Sequence, residues 1–259
     1  MNRSNQAPRG RGIYLLPNLF TLSALFAGFY AIIAAMKGNY DNTAIAILVA
    51  MLMDTLDGRV ARLTNTQTAF GAELDSLSDM VCFGIAPALF LYVWGLSALG
   101  KVGWLVAFIF AAAVALRLAR FNVQHDTTDK RYFKGLPCPA GASVITSLIW
   151  SLYEYDLGNR ATYIIVAVVA VGVAALMISN LLFHSFKNID LKNKVPFVVI
   201  LLILVIFVLV SVDPPLVWLG ISGAYASSAL VFWGWRRWRK HRQLRKQEGK
   251  EKLNSSSQQ

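Results

Sequence analysis

Charge is scarce in this 259-residue chain: Asp, Glu, Lys and Arg make up 15% of it, against 56% hydrophobic residues. That balance, with a mean hydropathy of +0.50, excludes an ordinary soluble domain and points to a membrane protein. Cysteine is nearly absent. Cys82 and Cys138 fall in separate apolar windows with no CxxC or Cys/His pattern, which excludes a disulfide framework and a zinc site, and both read as packing residues. The three histidines share no metal-ligand spacing, and no internal repeat is present. No A-x-A cleavage site follows the first apolar run, which therefore reads as a first span rather than a signal peptide.

What the chain does have is apolar length. Windows at 19–36, 43–62, 71–94, 102–122, 138–153, 161–183, 195–212 and 215–235 are long enough, or nearly so, to cross a hydrocarbon core, which needs roughly 20 helical residues. The expected fold is all-α, a polytopic membrane bundle of about eight transmembrane helices. The fifth window opens with Pro139 and Gly141 and is the shortest, so a tilted span and a re-entrant segment are both open.

Basic residues alternate across these windows. Of the 25 Lys and Arg, 22 fall in the segments of one side and three, Lys37, Lys101 and Arg160, in those of the other. By the positive-inside rule both termini and the loops at 59–70, 117–137 and 184–194 are expected in the cytoplasm. The net charge of +11 thus needs no nucleic acid to explain it. The tail "RRWRKHRQLRKQEGKEK" follows a span directly and reads as an anchor on anionic headgroups of the lipid bilayer.

Acids are the scarcest charge, 14 in all, yet five of them lie between residues 54 and 79. Asp54 and Asp57 share a helix face at i, i+3 near the cytoplasmic end of the second span. Asp75 and Asp79 do so at i, i+4 near the start of the third. With a rise of about 1.5 Å per residue, Asp54 and Asp57 sit about 12 and 7.5 Å inward of Arg62, and Asp75 and Asp79 about 6 and 12 Å inward of Gly71. Asp54 is then level with Asp79, and Asp57 with Asp75. Acids at such depth need compensation. Arg59 and Arg62 offer two charges against four, whereas two divalent cations would cancel them, and oxygen-only ligands suit Mg²⁺ or Mn²⁺. Such a pair of metals can clamp the attacking and leaving oxygens of a phosphoryl displacement. Buried Asp–Arg pairs or a proton pathway are the alternatives. Glu73 is expected to face the loop.

Gly58 follows Asp57 within a helix, where glycine costs about 1 kcal/mol relative to alanine. Its missing side chain would let a substrate reach the backbone, Ala61 extends the same small surface, and Arg62 could fork onto a phosphate. Close helix packing would explain Gly58 and Ala61 equally well.

Asp54, Asp57, Gly58, Ala61, Arg62, Gly71, Asp75 and Asp79 match DxxDGxxARx8GxxxDxxxD at every specified position, and in this the chain resembles the CDP-alcohol phosphatidyltransferases. The segments "LPNLFTLSALFAGF", "DSLSDMVCFGIAPALFLY", "LRLARFNV" and "RYFKGLPCPA" resemble the bacterial integral-membrane members that use serine as acceptor. The resemblance implies transfer of a phosphatidyl group from CDP-diacylglycerol to L-serine, with release of CMP, at the cytoplasmic face of a bacterial inner membrane. It implies metal binding by Asp54, Asp57, Asp75 and Asp79, with Asp79 also the general base, and donor binding by Gly58, Ala61 and Arg62. Asn18 and Thr21 in "PNLFT" are further donor contacts, or simply helix-start residues. Arg117, Arg120 and Asn122 are candidates for the serine site, and a positive-inside anchor is their bland alternative. A catalytic core over 1–183, added spans over 184–235, a basic tail over 236–259 and a homodimer complete these expectations. Choline, glycerol 3-phosphate or inositol would be alternative acceptors. A cation or proton transporter would instead distribute its acids across the membrane depth on several helices.

Overall fold

The computed structural model describes residues 15–64, 66, 68–123, 132–179, 182–184, 201, 204 and 208–228. The fold begins with two antiparallel helices, α1 (Leu15–Met36) and α2 (Tyr40–Thr64). Ala24, Ala27, Ala31, Ala34 and Ala35 recur at helical spacing on one stripe of α1 and are buried, as are Ala44, Ala46, Ile47 and Ala50 of α2. Small side chains let two backbones approach closely where water supplies no drive for packing.

The next rod is continuous from Ala69 to Trp94 but is not one regular helix. It consists of α3 (Ala69–Asp79), a π-helical turn (Met80–Ile85) and α4 (Ala86–Trp94). Pro87 has no N–H to return to Phe83, so the α-helical ladder breaks just ahead of it, and the Ala86 N–H reaches back to the Val81 carbonyl. The turn buries Cys82, Phe83 and Gly84. α5 (Lys101–Val123), α6 (Cys138–Glu154) and α7 (Arg160–Ile178) follow, with Asn159 capping α7 by accepting the Thr162 N–H at 3.0 Å. The bundle is helical as expected, and its one departure among the described residues is a short antiparallel ribbon. β1 (Tyr132–Lys134) pairs with β2 (Leu182–His184) in the register Phe133 opposite Phe183.

The bundle has two distinct ends. Arg117 of α5 meets Cys138 at the start of α6, and Arg120 meets Ile178 at the end of α7. At the other end Trp150 of α6 donates to Asp41 at the start of α2, and Tyr40 packs edge-on against Tyr153. α6 therefore runs from one end of the bundle to the other in 17 residues. α7 stops at Ile178, earlier than the apolar window suggests, because Ser179 takes extended backbone angles and 182–184 join the ribbon.

Among the described residues, four rods are long and apolar enough to cross a membrane: Pro17–Met36, Ala69–Trp94, Lys101–Val123 and Arg160–Ile178. α2 carries three aspartates and two arginines, and α6 is short, so neither stands out by composition. Residues 214–228 are helical. Most of the seventh window, the end of the eighth and the basic tail lie outside the described residues.

Candidate active site

α1 packs along both α2 and α3, while α2 and α3 themselves approach at few positions. The two acid-bearing helices thus flank a cleft whose back wall is α1. One carboxylate oxygen from each of Asp54, Asp57 and Asp75 lies within 4.8 Å of the other two. Asp54 is also within hydrogen-bond reach of Asp79, as the matched depths predict. Asp79 stands beside the trio rather than in it. Among the described residues no Lys or Arg is paired with any of the four, so the Asp–Arg alternative has no support. Three hard oxygen donors in mutual reach, one of them on the buried Asp57, suit a divalent cation. Glu73 is exposed and apart.

α1 contributes directly. The Thr21 hydroxyl donates to Asp57 Oδ2 at 2.8 Å, and the Pro17 carbonyl lies 3.2 Å from the same hydroxyl. Ser78, between Asp75 and Asp79 on α3, donates to the Thr21 carbonyl at 3.2 Å. Thr21 and Ser78 are buried, and together they tie both acid-bearing helices to one point on α1. Thr21, read from sequence as a donor contact or a helix-start residue, braces a carboxylate of the acidic cluster. Asn18 sits one turn earlier, where its Oδ1 would lie 3.3 Å from a Cβ placed on Gly71. Thr68 caps α3 there by accepting the Gly71 N–H at 3.0 Å.

Gly58, Ala61 and Arg62 follow Asp57 on α2 toward the same end of the bundle. The Arg62 Nε donates to the Gly58 carbonyl at 2.7 Å. A Cβ at Gly58 would meet nothing nearer than Arg62 Nη2, at 4.0 Å. Among the described residues, no helix packs against that glycine. The open space beside the acids leaves room for a ligand.

The "RLARFN" residues separate in role. Arg117 donates to Cys138 Sγ at 3.1 Å, and its Nε is buried with no hydrogen-bond partner. Arg120 donates to the Ile178 carbonyl at 3.2 Å. Asn122 donates to Ser76 Oγ at 3.1 Å, which brings the end of α5 against α3 beside Asp75. The Ser76 and Ser78 contacts were missed from sequence. Their only signal was position, since both flank the acids in "DSLSD" and face different neighbours.

The family model for CDP-alcohol phosphatidyltransferase matches residues 14–175. The chain is 37% identical over 198 residues to the CDP-diacylglycerol–serine O-phosphatidyltransferase of Helicobacter pylori, covering 76% of this chain and 83% of that one. It is 38% identical over 182 residues to the protein of the same name from Mycobacterium tuberculosis, covering 67% and 63%. The like-named Methanocaldococcus jannaschii protein is 36% identical over 178 residues, covering 69% and 78%.

Proposed function

The chain belongs to the CDP-alcohol phosphatidyltransferase family, and from that premise we infer that it transfers the phosphatidyl group of CDP-diacylglycerol to L-serine, yielding phosphatidylserine and CMP. The observation that carries this reading is the meeting of Asp54, Asp57 and Asp75 in a cleft bordered by an unobstructed Gly58.

Asp54, Asp57, Asp75 and Asp79 would hold divalent cations, Mg²⁺ or Mn²⁺ and two in number by charge balance. Bound there, the cations polarise the donor pyrophosphate and offset the charge that develops on departing CMP. Gly58, Ala61 and Arg62 hold the CDP moiety, with the Arg62 guanidinium toward phosphate and Asn18 at the mouth of the cleft. Asp79 accepts the serine hydroxyl proton. The serine oxygen forms a bond to the phosphatidyl phosphorus, the bond from that phosphorus to the CMP oxygen breaks, and CMP leaves with the electron pair. Asp79 suits the base because it stands beside the trio, next to Asp54. Arg117 is the best-placed anchor for the serine carboxylate, since its buried Nε still lacks a hydrogen-bond partner. Arg120 and Asn122 hold the helix ends around it.

The same reading has eight spans, with the core over 1–183, added helices over 184–235 and the basic tail 236–259. Both termini and the acids face the cytoplasm at the bacterial inner membrane, and two copies form a homodimer. The alternation of basic residues supports that orientation. Acyl chains then stay in the bilayer while the donor headgroup meets soluble serine.

The test is CMP release by purified protein supplied with CDP-diacylglycerol, Mg²⁺ or Mn²⁺ and, in turn, serine, choline, glycerol 3-phosphate and inositol. Turnover with serine alone is expected. Turnover with another alcohol and none with serine overturns the acceptor assignment.

A further inference from the structure

At the end of the bundle opposite the aspartates, a cavity of about 750 Å³ opens along α5, α7 and residues 98–100. Its α7 wall is a single stripe: Arg160, Ile164, Ala167, Val168 and Val171 follow one another at helical spacing. From Arg160 to Val171 the helix rises about 16 Å. Val102 and Val106 face it from α5, and Val106 and Ala167 form a buried floor between exposed rims at Val102, Ile164 and Val168. Arg160 is the sole charged residue of the lining.

The charge is what distinguishes this cavity from an ordinary lipid-facing groove. Among the described residues, Lys37, Lys101 and Arg160 are the only Lys and Arg at this end of the bundle. Two of these three flank one cavity, since Lys101 lies between the lining residues Gly100 and Val102. Both side chains are exposed, and neither has an ion-pair partner among the described residues. The acids at this end are engaged or elsewhere. Asp41 accepts from Trp150 and Asp213 from Tyr155, and neither Glu154 nor Asp156 lines the cavity.

A cation at the head of an apolar track, Arg160, with Lys101 next to the lining in the chain, matches one molecular shape: an anionic phosphate headgroup above an acyl chain, and basic pockets between membrane helices bind such headgroups. We propose that the α5–α7 cavity is a binding site for an anionic phospholipid, with the headgroup phosphate on Arg160 and Lys101 and an acyl chain along Ile164, Val168 and Val171. The site lies at the far end of the bundle from the aspartates and does not depend on the transfer reaction.

The full chain, purified in detergent, is exchanged into micelles doped with phosphatidylglycerol or with phosphatidylcholine of the same acyl chains. Retained lipid is then counted by native mass spectrometry. Phosphatidylglycerol is expected to be retained about fivefold or more over phosphatidylcholine. Arg160→Gln combined with Lys101→Gln should abolish that preference, Arg160→Lys should keep it, and Val168→Trp should remove bound lipid of either kind. CMP release from CDP-diacylglycerol and serine should stay at the wild-type level in all three variants, so the two readings fail separately. Equal retention of the two lipids, or a preference that survives the double substitution, overturns the proposal. Displacement of the lipid by millimolar inorganic phosphate would reassign the site to a simple anion. A Val168→Trp variant with unchanged lipid retention but a halved mass by light scattering would reassign the cavity to a second copy of the chain.

Discussion

Thr21 and Asp57, 36 positions apart, are joined by a 2.8 Å hydrogen bond from the threonine hydroxyl to Oδ2, and both residues are buried. The bond fixes the rotamer of a carboxylate that has no cation beside it among the described residues. It also makes α1 part of the acidic site, although α1 itself carries no acid.

Outer partners of metal ligands typically change metal affinity by about 10–100-fold. Thr21→Val is therefore expected to raise the Mg²⁺ or Mn²⁺ concentration for half-maximal CMP release at least about tenfold, while Thr21→Ser stays near wild type. Unchanged metal titrations in Thr21→Val would reduce the bond to a packing contact.

Asp79→Asn keeps the shape of the side chain and removes the proposed base. Transfer should fall by about 10²–10⁴-fold, while CDP-diacylglycerol still binds in equilibrium measurements with Mn²⁺ present. A variant that transfers normally would remove Asp79 as the proton acceptor.

Arg117 and Arg120 should part in their kinetics. Arg117→Gln is expected to raise the KM for serine by about tenfold or more, because a charge-assisted hydrogen bond is lost. Arg120→Gln should leave that KM unchanged and lower the unfolding temperature, since its partner is the Ile178 carbonyl that closes α7. The pair of measurements separates substrate recognition from a brace between helices.

A side chain at Gly58 meets open space, so Gly58→Val is expected to fold with a melting temperature near wild type. Its KM for CDP-diacylglycerol should rise because the valine would fill the space proposed for the donor. If instead the variant melts early with an unchanged KM, Gly58 serves packing after all.

Gly28 is the contrasting case. A Cβ there would stand 2.6 Å from Cys82 Sγ and 3.0 Å from its Cα, at the seam where Cys82 donates to the Ala24 carbonyl. Gly28→Ala should cost about 1–3 kcal/mol through overpacking, read as a lower midpoint in thermal unfolding. Activity per folded molecule should fall as well, because the same seam holds Thr21 and Ser78.

Much of the site was legible before any coordinates, because spacing on a helix is a local property. Asp54 and Asp57 at i, i+3 and Asp75 and Asp79 at i, i+4 could only share faces. Equal depths on two antiparallel rods then predicted the Asp54–Asp79 approach that the fold contains. The π-helical turn was less legible. Pro87 announced a missing donor, but whether the rod would kink, end or widen depended on α1 and α5 packing against Cys82 and Phe83.

The sequence by itself determined the apolar rods, the sidedness of basic charge, the acid spacing and the family, all of which depend on residues close together along the chain. Tertiary structure decided which side chains meet across helices. It joined Thr21 to Asp57, left the Arg117 Nε without a hydrogen-bond partner while Arg120 bonded the end of α7, and opened a cavity along α5 and α7 beside Arg160. Those outcomes depend on the rotation and tilt of whole helices about their axes. Many long-range contacts set these together, and no local pattern of residues encodes them.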